Sequence, residues 1–136
     1  MSNGRQRVIL ALVALFATTP AAMAQVGKGL QVARKDVLSG NPHQTAAPAE
    51  IDLARCIGAT PEGQTIESER VERGSARYSI LMTKAHERVV RAVAHVAAQK
   101  SRDCVVKKGS YRNPEGLTVL DISDEVIAAI GNDRDS

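Results

Sequence analysis

The sequence predicts a small α+β protein that combines a small β body, a short helical hairpin and a C-terminal helix. Three observations favour this fold class. A proline-free stretch ends in an amphipathic helix pattern, a short valine-rich segment follows it, and an apolar helix pattern with an acidic start comes near the end of the chain. The 136 residues suffice for one small domain. Phe16, Tyr78 and Tyr111 are the only aromatic residues. Helix pairing or contact between copies is therefore expected to supply the burial that rings usually provide.

Residues 1–24 have the layout of a secretory signal peptide. Arg5 and Arg7 precede an unbroken apolar run, and small residues end at Ala24. The run is shorter than the roughly 20 apolar residues that a membrane-spanning helix needs, although a retained anchor is the alternative. We expect cleavage after Ala24, export, and a mature chain that starts at Gln25.

Charge is segregated along the expected mature chain. The full chain has a formal net charge of +3, and loss of Arg5 and Arg7 lowers this value to +1. Residues 70–112 contain eleven Lys or Arg against three acidic residues, whereas residues 113–136 contain six acidic residues and one Arg. Such a basic segment can steer acidic partners. The alternative is a solvated basic helix face without a partner.

The mature chain divides into segments of different pattern. Residues 25–49 are rich in Gly, Pro, Ser and Ala and poor in large apolar side chains, which predicts a flexible lead-in. Residues 50–57 are bounded by proline and glycine, which favours a strand. In the second half of residues 62–100, apolar side chains recur at helical spacing, which predicts an amphipathic helix.

The two cysteines, Cys56 and Cys104, limit the path of this helical segment. One continuous helix would be about 58 Å long at 1.5 Å per residue and would hold the cysteines apart. Cysteines of exported chains usually pair, and pairing requires Cα atoms within about 7 Å. We therefore expect a hairpin of residues 62–73 and 76–100 that turns at Gly74, together with one intramolecular disulfide. A disulfide between two copies is the alternative.

The segments after the hairpin are predicted from their apolar cores and from the residues that bound them. Residues 103–109 contain a Cys-Val-Val core typical of a short buried strand. Residues 110–117 contain Asn-Pro and Glu-Gly pairs, which indicate a loop. Ser123 is expected to cap a helix that Gly131 ends, and residues 132–136 form a tail.

The segment "RVVRAVAHVAAQKSRDCVV", a loop that contains Tyr111, and "LDISDEVIAAI" follow one another in the chain. This order resembles the C-terminal part of the OmpH/Skp family of periplasmic chaperones, with the match over residues 88–130 and a domain over residues 50–131. The resemblance implies a periplasmic location and a homotrimer on a small β body, whose basic helical arms hold unfolded outer-membrane proteins. The arms of the family are long, whereas residues 62–100 allow only a short hairpin.

Charge and resemblance together indicate the residues that contact a client. The basic ones lie on the expected hairpin, and two apolar neighbours offer adaptable contact. The alternative for the apolar pair is packing within the hairpin. The candidate client-binding residues are Arg70, Arg73, Arg77, Ile80, Met82, Lys84, Arg88 and Arg91.

A second resemblance, to the F-type conjugation protein TrbI, implies a structural role in an envelope assembly. That protein shares the layout of strand, helix, strand and "DIT" element without long arms. Because it is expected to keep an N-terminal membrane anchor, retention or cleavage of residues 1–24 separates the two interpretations.

Catalytic motifs are missing from the sequence. It contains no Gly-x-Ser-x-Gly elbow and no glycine-rich phosphate loop. Cys56 and Cys104 do not form a Cys-x-x-Cys motif, and His86 and His95 are too far apart to bind a metal from adjacent turns. We expect a binding protein with no enzymatic activity, cofactor, metal or small-molecule substrate. Export and the lack of a recognition motif also argue against nucleic acid.

The signal-peptide interpretation predicts the mass of the exported protein. The intact mass of the chain recovered from the periplasm should correspond to a start at Gln25, because cleavage follows the small residues of the signal. Mass spectrometry of the purified protein measures this. Full-length chain in the membrane fraction would instead support the TrbI-like interpretation.

Overall fold

A computed structural model describes residues 29–133 of the chain. The expected signal peptide, residues 1–24, lies outside the described residues, as do residues 134–136 of the tail. Among the described residues, no helix has the length and apolar character needed to cross a membrane. The elements in chain order are β1 (Gln31–Val32), β2 (Val37–Gly40), β3 (Pro48–Ile51), α1 (Leu53–Ala59), α2 (Pro61–Ser68), α3 (Ala76–Gln99), β4 (Cys104–Lys107), β5 (Tyr111–Arg112), β6 (Leu120–Asp121) and α4 (Ser123–Asp133).

The α+β fold class is confirmed. A four-stranded sheet has the order β2-β4-β3-β6, and β1 pairs with β5 in a separate two-stranded sheet. Strand β4 is antiparallel to β2 and parallel to β3, and β3 is also parallel to β6. Parallel strands need a long crossover. The helices α1 to α3 supply it between β3 and β4.

The four-stranded sheet separates two apolar clusters. Successive side chains of a strand point to opposite faces, and β4 places Val105 in one cluster and Cys104 and Val106 in the other. The first cluster, here the helical core, includes Val89 and Val93 of α3 and Val126 and Ile130 of α4. The second cluster is closed by Leu30 and by partly buried side chains of the segments before β2 and after β4.

The lead-in prediction is wrong for residues 29–49, which form three strands of the two sheets. Their few apolar side chains are nevertheless sufficient, because Leu30 and Leu38 are buried against opposite faces of the sheet. Asp103 also holds this segment: its carboxylate accepts hydrogen bonds from the Thr45 hydroxyl and from the Ala46 amide, the latter at 2.8 Å. The sheets therefore include residues that lie as far as 19 positions before the expected boundary at residue 50, since β1 begins at Gln31.

The strand expected over residues 50–57 is partly wrong. The strand β3 ends at Ile51, and α1 begins at Leu53. Asp52 caps this helix, since its carboxylate accepts a hydrogen bond from the Arg55 amide at 3.2 Å. Leu53, Cys56 and Ile57 have helical spacing, so all three can turn toward the helical core, where Cys56 is fully buried.

The helical hairpin is present, with a shorter first arm than expected. The helix α2 ends at Ser68, and the chain turns through Arg70 and Gly74, which have φ of 50° and 89°. Ser75 then caps α3, because its hydroxyl accepts a hydrogen bond from the Tyr78 amide at 3.1 Å. The turn at Gly74 is therefore correct, and the first arm has 8 residues.

The segment "DIS", residues 121–123, joins the sheet to both neighbouring helices. The Ser123 hydroxyl donates to the Asp121 carboxylate at 2.6 Å and accepts from the Asp52 amide at 2.8 Å. Hydrogen bonds from the Ser123 hydroxyl and amide lower the pKa of Asp121 to about 2. The helix α4 starts close to the expected position, but Ser123 is its first residue and its hydroxyl accepts from Asp52, so the expected cap by Ser123 is not seen. The helix also continues past Gly131 to Asp133, so Gly131 does not end it.

The expected disulfide is absent: Cys56 and Cys104 are both free and buried. Cys56 lies in the helical core, whereas Cys104 points into the second cluster. The sheet therefore separates the two thiols. The chain doubles back, as the hairpin argument required, but packing of α3 on the sheet holds it there and no covalent bond is needed.

Because both thiols are buried, we expect each to react slowly with thiol reagents. Desolvation raises the pKa of Cys56 and of Cys104 to about 11 each, so little reactive thiolate is present at neutral pH. We expect the native protein to react slowly with a thiol reagent and the urea-unfolded protein to react rapidly at both sites. Intact mass after labelling measures the number of modified thiols. A native mass lower by two hydrogen atoms, restored by reductant, would contradict the separation of the thiols.

Candidate functional site

The predicted client-binding residues all lie on the helical hairpin. Arg70 and Arg73 lie in the connection between α2 and α3, and the others lie on α3. On α3, Arg77, Lys84 and Arg91 are seven residues apart, so they follow one side of the helix at 3.6 residues per turn. All three are exposed. These residues form a basic stripe.

Ile80 lies on the exposed side of α3, with 56% of its surface accessible. The buried residues of the helix, such as Ala85, Val89 and Val93, occupy the opposite side and pack into the protein. Ile80 therefore does not pack the hairpin, contrary to the alternative stated from the sequence. An isoleucine this exposed beside cations offers apolar contact to a partner.

Two of the predicted arginines are bound within the protein. Arg88 of α3 makes a bidentate ion pair with Glu62 of α2, at 2.9 and 3.0 Å, and contacts Asp133 of α4 at 3.0 Å. Arg77 donates from its Nη2 group alone to both carboxylate oxygens of Glu69, at 2.9 and 3.0 Å. Arg88 thus fastens three helices together, and its charge is offset by two carboxylates.

The other four cations make no such pair, although Lys84 is near enough to Glu62 to help lower the pKa of that carboxyl. Within residues 29–133, Arg70, Arg73, Lys84 and Arg91 make no ion pair and no side-chain hydrogen bond. Their charged groups are therefore exposed to solvent. A partner's carboxylate that binds them replaces water and breaks no internal ion pair. We call these four residues the free cations of the hairpin.

Met82 faces a groove between the first three helices. The groove has a volume of about 460 Å³. Its walls include pairs at i,i+4 spacing, Leu53 and Ile57 on α1 and Tyr78 and Met82 on α3. All four side chains are half-buried. We call this feature the inter-helix groove; its remaining lining residues are Ala54, Gly58, Gly63, Ile66, Glu67, Arg73 and Lys107.

Close approach of α1 and α2 shapes the inter-helix groove. Gly63 is buried, and a Cβ at this position would lie 2.0 Å from the Ile57 carbonyl oxygen. The Gly63 amide donates to the Thr60 hydroxyl at 2.9 Å, which caps α2. Only glycine lets the two helices meet at this distance. Gly63 is thus a shape-determining residue that sequence inspection missed.

The sequence contained a partial signal for the groove. The i,i+4 pairs on α1 and α3 are visible as apolar spacings, but the assignment of residues 50–57 to a strand hid the first pair. Lys107 was known only as one of several basic residues. Strand β4 places Lys107 in the lining of the groove, where Arg73 also lies. The tertiary fold alone brings these two residues together.

The described residues contain no cluster of three or more His, Cys, Asp or Glu side chains suited to a metal ion. Comparison of the chain with protein-family models, with curated proteins and with solved structures finds no match.

The ion pairs of Arg88 with Glu62 and Asp133 predict a stability difference between two arginines of α3. Replacement of Arg88 by Met should lower the free energy of unfolding by roughly 1–3 kcal/mol, because Glu62, with a side chain only 13% exposed, loses its partner. The control Arg91→Met removes a cation without a partner and should change stability by less than about 0.5 kcal/mol. Urea unfolding at neutral pH measures both values.

The ion pair between Arg88 and Glu62 also makes the free energy of unfolding depend on pH. Arg88 holds the pKa of Glu62 below its usual value of 4.5. The resulting stabilisation is therefore complete above that usual value and is lost as the pH falls through the lower folded value. The difference between the wild type and Arg88→Met should shrink in acid. Equal stability of the Arg88 and Arg91 variants at neutral pH would contradict a structural role for this ion pair.

Proposed function

We propose that this protein is a periplasmic, chaperone-like protein that binds unfolded outer-membrane proteins through the basic surface of its helical hairpin. The observation that carries the proposal is the combination of four free cations with an exposed Ile80 on that hairpin. Free cations attract acidic segments of an unfolded chain over a distance set by salt. Apolar contact then retains the segment.

The proposed contact residues form a subset of those expected from the sequence. Arg70, Arg73, Lys84 and Arg91 have charges available to a client, and Ile80 has accessible apolar surface. Arg77 and Arg88 are already paired with carboxylates. Their replacement would therefore mix loss of binding with loss of stability.

The short hairpin favours a holding mechanism on an open surface. The longer arm, α3, has 24 residues and therefore a length of about 36 Å at 1.5 Å per residue. The shorter arm has 8 residues. Such an arm covers a segment of a client and leaves the rest exposed, so binding should be weak and rapidly reversible. Assembly as a homotrimer would multiply these contacts through effective concentration.

The proposal predicts suppression of aggregation that depends on charge. Excess mature protein should slow the aggregation of an outer-membrane protein diluted from urea, as followed by light scattering. Raising the ionic strength from about 0.1 M to about 1 M shortens the Debye length from about 10 Å to about 3 Å and should weaken the effect. The triple charge reversal Arg73→Glu, Lys84→Glu and Arg91→Glu should weaken it at low salt.

A matched control separates position from net charge. Arg34, Lys35 and Arg112 are exposed and lie outside the hairpin, and within residues 29–133 they make no ion pair. Their triple reversal to Glu changes the net charge equally and should preserve most of the activity. Equal aggregation with and without excess wild-type protein at low salt would reject the chaperone proposal and favour a structural role in an envelope assembly.

A further inference from the structure

We infer that the inter-helix groove is a second binding site, which takes a polypeptide segment that presents large apolar side chains next to a carboxylate. The inference rests on the proposed function for its biological context, since it names the class of client segment that the hairpin retains. The site lies between α1, α2 and α3. The basic stripe follows another side of α3.

The size and walls of the groove suit apolar side chains. Its volume of about 460 Å³ lies within the roughly 300–1,000 Å³ of ligand-binding clefts. Leu53 and Ile57 face Tyr78 and Met82 across it, and all four side chains are half-buried. Methionine adapts its shape to different partners, and tyrosine is enriched at protein interfaces. The walls therefore tolerate varied apolar side chains.

The charges of the groove favour an acidic segment. Arg73 and Lys107 line it, and within the described part of the chain neither has an ion-pair partner. Glu67 is the single acidic residue of the lining. The groove therefore carries a net positive charge, which complements a carboxylate on the segment that enters it.

The mixture of polar groups favours a peptide over a fatty acid. Arg73 and Lys107 can only donate hydrogen bonds, whereas the Glu67 carboxylate accepts them. Among residues 29–133, that carboxylate has no hydrogen-bond partner. A fatty acid offers acceptors alone, so it makes no hydrogen bond with the exposed Glu67 carboxylate. A peptide backbone supplies both N–H donors and C=O acceptors, so it can satisfy both kinds of group.

A glycine in the lining permits a direct test. Gly58 lies in α1, is exposed, and has no atom within 4 Å of the position that a Cβ would take. Gly58→Trp therefore places a large side chain at the wall of the groove, at a position where a Cβ meets no other atom. Gly131 of α4 is likewise exposed and open, and it lies outside the groove. Gly131→Trp is the matched control, and both changes remove a glycine from a helix.

The experiment measures binding of a short fluorescein-labelled peptide by anisotropy. The peptide carries two leucines and one glutamate on a Ser/Gly background. Gly58→Trp should weaken its binding by roughly tenfold, the loss of one well-placed anchor site, whereas Gly131→Trp should leave it unchanged. The double variant Arg73→Glu and Lys107→Glu should bind the peptide more weakly, but should prefer a version in which lysine replaces the glutamate. Equal affinities of the two glycine variants would overturn the site.

Competing occupants and the chaperone proposal give distinct outcomes. Laurate that binds in a Gly58-dependent manner while the peptide does not would overturn the peptide assignment. A concentration-dependent dimer that Gly58→Trp abolishes would assign the groove to a second copy and overturn it also. If Gly58→Trp suppresses aggregation as well as the wild type does, the hairpin proposal stands and the groove inference falls. If the peptide binds with the expected dependence but aggregation is not slowed, the groove stands and the chaperone proposal falls.

Discussion

Strand β4 is the element on which both halves of the protein depend. It is hydrogen-bonded on both edges, to β2 and to β3, and its alternating side chains enter two different apolar clusters. Val105 packs with the helices, and Cys104 and Val106 pack with the N-terminal segment. Helices can therefore cover one face only. The other face of the sheet, which carries Cys104 and Val106, is covered by the N-terminal segment of residues 29–49.

Polar contacts then divide the charges of the surface into two groups. Some are fixed by internal partners: Arg88 binds Glu62 and Asp133, and Asp121 binds Ser123 and Lys108. These contacts connect helices to one another and the sheet to α4. Among residues 29–133, four of the cations that make no ion pair, the free cations defined above, lie on the hairpin. The basic residues of the hairpin thus fall into two groups. Those with internal partners stabilise the fold, and only those without such partners can bind a partner molecule.

The arrangement around α3 allows two modes of contact with one partner. Lys84, Arg91 and Ile80 lie on its exposed side, and Arg70 and Arg73 lie in the connection before it, where long-range attraction operates. Tyr78 and Met82 belong to the inter-helix groove, where apolar contact and shape act at short range. Arg73 belongs to both sets, because it is a free cation and lines the groove. A client attracted by charge would therefore have an apolar site close to its point of arrival.

Local patterns were sufficient to predict several elements. The periodicity of α3, the valine pair of β4 and the start of α4 at Ser123 were all readable from the sequence, because each depends on spacings within a few residues. The turn at Gly74 was predictable for the same reason, since a left-handed backbone conformation favours glycine.

The sequence by itself thus determined the α+β class, the order of the main elements and the basic character of the hairpin. Only the tertiary structure decided that residues 29–49 are ordered, that Cys56 and Cys104 stay apart, and which arginines are free. Each of these outcomes depends on pairs far apart in the chain, such as Thr45 with Asp103 and Glu62 with Arg88. Side-chain spacing reports the face of one element. It carries no information about which distant element covers that face, because that choice is made by the packing of all elements together.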